Sequence, residues 1–185
     1  MKKLFAIFAV CIPFAAQADD LQDRKQASAA VIKEFAGNLK AELESAMQEG
    51  GPGQAIDVCS NMAPHIAHLQ SEKTGWRVAR TSLKVRNPKN APDAWETKVL
   101  RSFEERKAKG EAVDGLDFAE VVEQDGKRVF RFMKAIPTGE ACLKCHGADI
   151  AEPVKAKLDG LYPTDQARGF QAGDIRGAFT ITQPM

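Results

Sequence analysis

Apolar positions recur along the chain with two different periods, and the switch between them divides it into elements. From residue 20 to 48, Ala30, Ile32, Phe35, Leu39, Leu43 and Met47 recur at helical spacing with charge between them, which predicts one long amphipathic helix. Gly50-Gly51-Pro52-Gly53 should stop it. Residues 54–62 suit a short helix carrying Ile56 and Cys59. Pro64, which lacks an N–H and crowds the preceding turn, should break or kink that helix. A second short helix is expected over residues 64–72, ending before Gly75.

Strand-like sequence then takes over. Trp76 to Val85 is rich in β-formers, and Asn87-Pro88-Lys89-Asn90 reads as a turn. Pro92 with Asp93 behind it opens a helix over residues 92–109 that ends at Gly110. Phe118 to Glu123 and Arg128 to Ala135 read as strands joined around Asp125-Gly126, a strong hairpin signal. A helical segment from Cys142 to His146 follows, then a loop rich in Gly, Pro and Asp, then a last strand over Ile175 to Thr182. The sum is an α+β domain: an antiparallel sheet with helices set to one side and a long N-terminal helix.

The first eighteen residues stand apart from this pattern. Lys2 and Lys3 precede an apolar run from Leu4 to Ala16, and Ala16-Gln17-Ala18 is a small-x-small cleavage site before Asp19 and Asp20. That order is a secretory signal peptide, and the apolar run is too short to span a bilayer. The expected division is a signal peptide over residues 1–18, which takes Cys11 with it, and a single domain over residues 19–185, exported to the periplasm. Removing Lys2 and Lys3 from the 26 basic residues leaves 24 against 25 acidic ones. This near balance gives no support to nucleic-acid or membrane-surface binding, and no membrane span is expected in the mature chain.

The chemistry is concentrated in Ala141-Cys142-Leu143-Lys144-Cys145-His146-Gly147, which contains Cys-x-x-Cys-His, the attachment signature of c-type haem. The two thiols would add to the haem vinyl groups, and the next residue, His146, would supply the proximal nitrogen to iron. A bare Cys-x-x-Cys also suits a redox disulfide or half a zinc site. The histidine that follows directly and the export signal favour haem, and no second pair exists to complete a zinc cage. The expected cofactor is therefore one covalent haem c with its iron.

Cysteine arithmetic then isolates Cys59. The mature chain would keep Cys59, Cys142 and Cys145, so with the last two on haem Cys59 has no partner in the chain. It reads as a reactive or intermolecular thiol, as a ligand, or as a small buried hydrophobe. The sixth position on iron has five candidates: Cys59, Met62, His65, His68 and Met133. Spacing alone does not choose among them. Arg77, Arg80, Lys84 and Arg86 make a basic strand and turn, either a solvated edge or, for Arg80 above all, a partner for the haem propionates. Trp95, Phe130 and Phe132 read as core or as the wall of the haem pocket.

Four stretches, AIDVCSNMAPHIA, GWRVARTSLKVRNPKNAPDAWE, ACLKCHG and GDIRGAFTI, together resemble a family of small c-type haem proteins. Its members carry one haem in a PAS-like α+β domain, alone or as a sensory module of membrane-bound receptors and kinases. The resemblance implies a PAS-like sheet with flanking helices, His146 as proximal ligand and Cys59 as distal ligand. The resulting expectation is an exported monohaem cytochrome in low-potential electron transfer with an unidentified redox partner protein. The alternative is a haem-based redox or gas sensor whose small ligand would be CO or NO. An enzyme is not expected, since no distal acid–base pair stands out beyond His65 or His68. The long first helix offers a surface for a homodimer.

Overall fold

The computed structural model describes residues 14–185. Most of the expected signal peptide, Cys11 included, lies outside the described residues. No helix among the described residues is long and apolar enough to cross a membrane.

Helix α1, Phe14–Asp57, is two helical segments that meet at a kink in the glycine cluster expected to end the first. Only Gly51 departs from helical geometry, at φ 68° and ψ −160°, a conformation that suits glycine. Pro52 restarts the helix directly, at a position where its missing N–H is not needed. The glycines therefore end the first helical segment where expected, and the chain doubles back along it, bringing Lys73 to 2.9 Å from Glu34. The inward face is Ser28, Ile32, Phe35, Leu39 and Ala46, whereas Ala30 is exposed. Ser28 is a buried polar residue because the Gln183 side-chain amide donates to its Oγ at 2.8 Å.

Pro64, by contrast, does not end its helix. A π-helical turn, Val58–Met62, precedes it, with the Ala63 N–H donating to the Val58 carbonyl, and α2, Ala63–Thr74, continues onward. The wider turn displaces the hydrogen-bond ladder just where the proline ring would collide with it. Gly75, at φ 71°, closes α2 with a bond from its N–H to the Ser71 carbonyl.

Strand β1, Arg77–Thr81, is shorter than expected. Helix α3, Ala94–Ala108, starts on a capping box in which Asp93 and Glu96 each accept from the other's backbone N–H. Strands β2, Asp117–Gln124, and β3, Lys127–Pro137, form the expected hairpin, with Asp125 and Gly126 both at positive φ. After β3 the chain leaves the sheet through α4, Leu143–His146, and α5, Glu152–Leu161, and returns as β4, Ile175–Pro184. The sheet is antiparallel throughout, in the order β1-β4-β3-β2.

Helices cover both faces of this sheet, not one. Val78, Phe130, Phe132, Phe179 and Ile181 pack with α1 and α2. Met133, Ala135, Ile175 and Ala178 point the other way and pack with Val99, Leu100 and Phe103 of α3. A buried charge cluster pins α3 to its face. Glu96 Oε1 accepts from Thr180 Oγ1 at 2.8 Å, Arg131 Nη2 at 3.0 Å and Arg77 Nη1 at 3.3 Å. Arg131 also pairs with Asp93 at 2.7 Å and lies 4.2 Å over the Trp95 ring.

Both partners of the Glu96–Arg131 pair are buried, so breaking it strands a cation in the core. Glu96→Ala should cost about 3–5 kcal/mol of unfolding free energy in a urea titration. A loss below 1 kcal/mol would show that Thr180, Arg77 and Asp93 satisfy the site without it.

Candidate functional site

The excursion between β3 and β4 carries the Cys-x-x-Cys-His segment, and hydrogen bonds close it at its neck. Thr138 N–H donates to the Asp174 carbonyl and Gly173 N–H to the Thr138 carbonyl, each at 2.8 Å. Within it, Cys142 ends a 3-10 turn and Cys145 and His146 lie on α4. Gly147 is buried, and a Cβ there would stand 2.7 Å from the Leu143 carbonyl oxygen. Its lack of a side chain lets α4 end in so tight a turn. Cys145 packs beside Ile56 of α1 and Val154, Leu158 and Tyr162 around α5.

His146 is held in one tautomer. Its Nδ1 lies 2.8 Å from the Ala167 carbonyl, which can only accept, so Nδ1 carries the proton and the lone pair sits on Nε2. Burial, followed by the charges of Arg176 and Arg86, lowers its pKa to about 3. The imidazole is neutral, the form that binds a metal. The aromatic ring beside it is Phe170, edge-on at 6.1 Å.

Arg86 fixes that carbonyl from behind. Its Nη2 donates to the carbonyls of Cys145 at 2.6 Å and Ala167 at 3.1 Å. Its Nε donates to Asp165 Oδ1 at 3.1 Å, and both side chains of this ion pair are buried. Burial alone would raise the Asp165 carboxyl. Hydrogen bonds from Arg86, Arg168 and the Ala167 N–H outweigh it and hold the pKa below the ordinary value. The basic stretch read from the sequence thus divides by role. Arg77 turns to Glu96 on the α3 face, Arg86 is a buried clamp, and Lys84 is exposed with its Nζ 4.9 Å from the Phe170 ring centre.

Arg80 turns toward α1, its guanidinium 5.7 Å from the Phe35 ring centre. Among the described residues it has no carboxylate within ion-pair distance, and burial lowers its pKa while Cys59 and then Tyr162 oppose that shift. Cys59 occupies the π-helical turn. Burial raises its pKa, and Arg80, Arg86 and Arg176 pull it back. The Cys145 thiol is raised by burial and then by Cys59. Sulfur, imidazole and guanidinium groups from the π-helical turn, β1, α4 and β4 thus share one electrostatic environment.

The other proposed ligands fall elsewhere. Met133 is fully buried under α3, on the opposite face of the sheet from Arg80. His65 and His68 are exposed, and His68 lies 3.3 Å from Glu72. Met62 packs against the α1–α2 core. Phe130 and Phe132 are core residues, and Trp95 donates to Glu120 on the α3 side. Arg176, Phe170, Tyr162 and Asp165 of the site escaped the sequence reading. Arg176 alone left a signal, a single cation inside the apolar strand IRGAFTI.

The residues fit a porphyrin better than a bare ion. Among the described residues no group of three or more His, Cys, Asp or Glu is placed to hold a metal. Two thiols at attachment spacing, one free imidazole lone pair, one further thiol and guanidiniums without carboxylates match the vinyl groups, axial positions and propionates of a haem.

The sequence pattern of the Tll0287-like family matches residues 15–184. The fold is similar to the crystal structure of the cyanobacterial heme-protein Tll0287, with a TM-score of 0.69 and 23% identity over 88% of this chain and 96% of that one. No curated protein matches the chain.

Asp165→Asn should destabilise the protein at neutral pH. Because the folded carboxyl titrates below its ordinary value of 3.8, its contribution is complete above that pH and is lost as pH falls through the lower folded value. Unfolding free energies of the two proteins should therefore converge in acid. A constant gap down to pH 2 would assign the effect to geometry alone.

Proposed function

The chain belongs to the Tll0287-like family, and from that premise we propose that it is an exported monohaem c-type cytochrome in low-potential electron transfer. Cys142 and Cys145 would hold the haem covalently, and His146 and Cys59 would be its axial ligands. Arg80 would neutralise a propionate. The observation that carries this reading is the state of His146, with Nδ1 committed to the Ala167 carbonyl and Nε2 left as the coordinating atom beside a Cys-x-x-Cys pair. The haem supplies a one-electron ferric–ferrous couple when bound.

The chain's own residues set the conditions for that couple. The buried Arg86–Asp165 pair keeps the Ala167 carbonyl in place, which keeps the His146 ring from turning. Arg80, Arg86 and Arg176 oppose part of the cost of burying a thiolate at Cys59, and bound iron would supply the rest. A thiolate ligand favours ferric iron and a low potential, so a strongly reducing protein is the expected partner. No enzymatic role is proposed.

The π-helical turn under Cys59 favours a second reading. Such turns are displaced, rearrangeable sections of helix, and one that moved would release the sulfur and open iron to CO or NO. The protein would then be a redox or gas sensor. A ferrous protein whose spectrum shifts promptly under CO supports the sensor, and an unchanged spectrum supports the carrier.

Electron paramagnetic resonance tests the ligand set. The ferric protein should give a low-spin thiolate signal that Cys59→Ala abolishes. An unchanged spectrum would remove Cys59 from the iron. Export is tested on the purified periplasmic protein, whose N-terminus should be Asp19. A chain that keeps Met1 would contradict signal-peptide cleavage.

A further inference from the structure

A cleft on the α3 face takes no part in the reading above. It holds about 240 Å³ between α3, the loop after β1 and the start of β4. Its floor is apolar and buried, made by Leu100 of α3, Ile175 of β4 and Phe170. Leu83 also lines it, one of the large apolar side chains that stay exposed. The floor rests on fixed backbone. A Cβ on Gly177, another lining residue, would collide with the Thr81 carbonyl oxygen, so β4 lies directly against the end of β1. Ser82 Oγ fastens the same place by donating to the Arg176 carbonyl at 2.8 Å.

Charge of both signs lines the cleft. Lys84 Nζ lies 4.9 Å from the Phe170 ring centre and donates to the Arg168 carbonyl at 3.3 Å. Glu104 and Asp174 supply carboxylates. Asp174 is already engaged, accepting from Lys107 Nζ at 2.7 Å and from the Gln171 N–H at 2.8 Å. Glu104 is not. Among the described residues no basic group lies within ion-pair distance of Glu104, and no carboxylate within that distance of Lys84. Burial raises the Glu104 pKa, and the Lys107 charge opposes the rise. Lys84 acts on the same carboxyl from further off.

The cleft thus combines one unpaired cation, one unpaired anion and an apolar floor. A simple anion would meet two carboxylates, and a simple cation would meet a lysine. A neutral molecule would desolvate both charges and pair neither. A zwitterion pairs both. Cavities for drug-sized ligands run from about 300 to 1,000 Å³, so this smaller one suits a small molecule.

We propose that this cleft binds a free α-amino acid with an apolar side chain. Its carboxylate pairs with Lys84, its ammonium with Glu104, and its side chain covers Leu100, Ile175 and Phe170. The proposal stands independently of the haem reading.

Isothermal titration calorimetry on the protein purified from a cytochrome-maturing host tests this. The probes are L-leucine, L-valine and L-phenylalanine, with 4-methylpentanoate and 3-methylbutylamine as analogues of leucine that carry one charge each. At least one amino acid should saturate a single site. Leucine should bind about tenfold tighter than either analogue, the effect of one charge-assisted hydrogen bond. K84M and E104Q, both at exposed positions, should each weaken the tightest amino acid about tenfold. E105Q removes a neighbouring exposed carboxylate outside the cleft and should match wild type. No binding of any of the three amino acids overturns the proposal. So does leucine binding no tighter than its analogues, wild-type affinity in K84M or E104Q, or an E105Q loss equal to that of E104Q.

Discussion

One buried ion pair organises the site. Arg86 and Asp165 come from the loop after β1 and the loop after α5, segments with no regular hydrogen-bond ladder of their own. The guanidinium also holds two carbonyls, one on Cys145 and one on Ala167. The second is the acceptor for His146. Ring orientation, tautomer and the position of α4 therefore depend on a single desolvated arginine. Removing one partner of such a pair costs far more than the pair is worth in isolation, because the other charge is left buried.

The sheet supplies the rest of the frame. β4 lies between β1 and β3, so Arg176 on β4 and Arg80 on β1 start from neighbouring strands. The helices on the two faces differ in task. α3 is locked by the Glu96 cluster and serves packing, whereas α1 passes over the sheet and delivers Cys59 through a turn with a displaced ladder. A fully regular helix meeting Pro64 would have kinked. The π turn absorbs the proline and keeps α1 and α2 in register with the sheet.

Features fixed by local chemistry were legible in the sequence. Asp125-Gly126 specifies a hairpin and Asp93 specifies a helix start, and the Cys142-Cys145-His146 spacing points to the haem chemistry proposed above. Features decided by tertiary packing were not. The Gly50–Gly53 run ends a helical segment as its propensity dictates, whereas Pro64, a breaker by the same measure, sits in continuous helix behind a π turn. Ala30 fits the helical period but faces solvent, because the neighbouring Ser28 has a hydrogen-bond partner across the interface in Gln183. Asp165, Ala167 and Phe170 lie in an irregular segment where no period exists to read. Met133 sat among the ligand candidates by residue type, and strand parity sends it to the other face.

Of all these arrangements, the account depends most on the proposal that two thiols hold a haem covalently and an imidazole binds its iron. The direct measurement is the intact mass of the protein purified from a host that matures cytochromes, taken after denaturation in acid. The account predicts the mass of the chain from Asp19 to Met185 plus one haem, an addition that disappears when Cys142 and Cys145 are both replaced. A colourless protein at the bare polypeptide mass would contradict it.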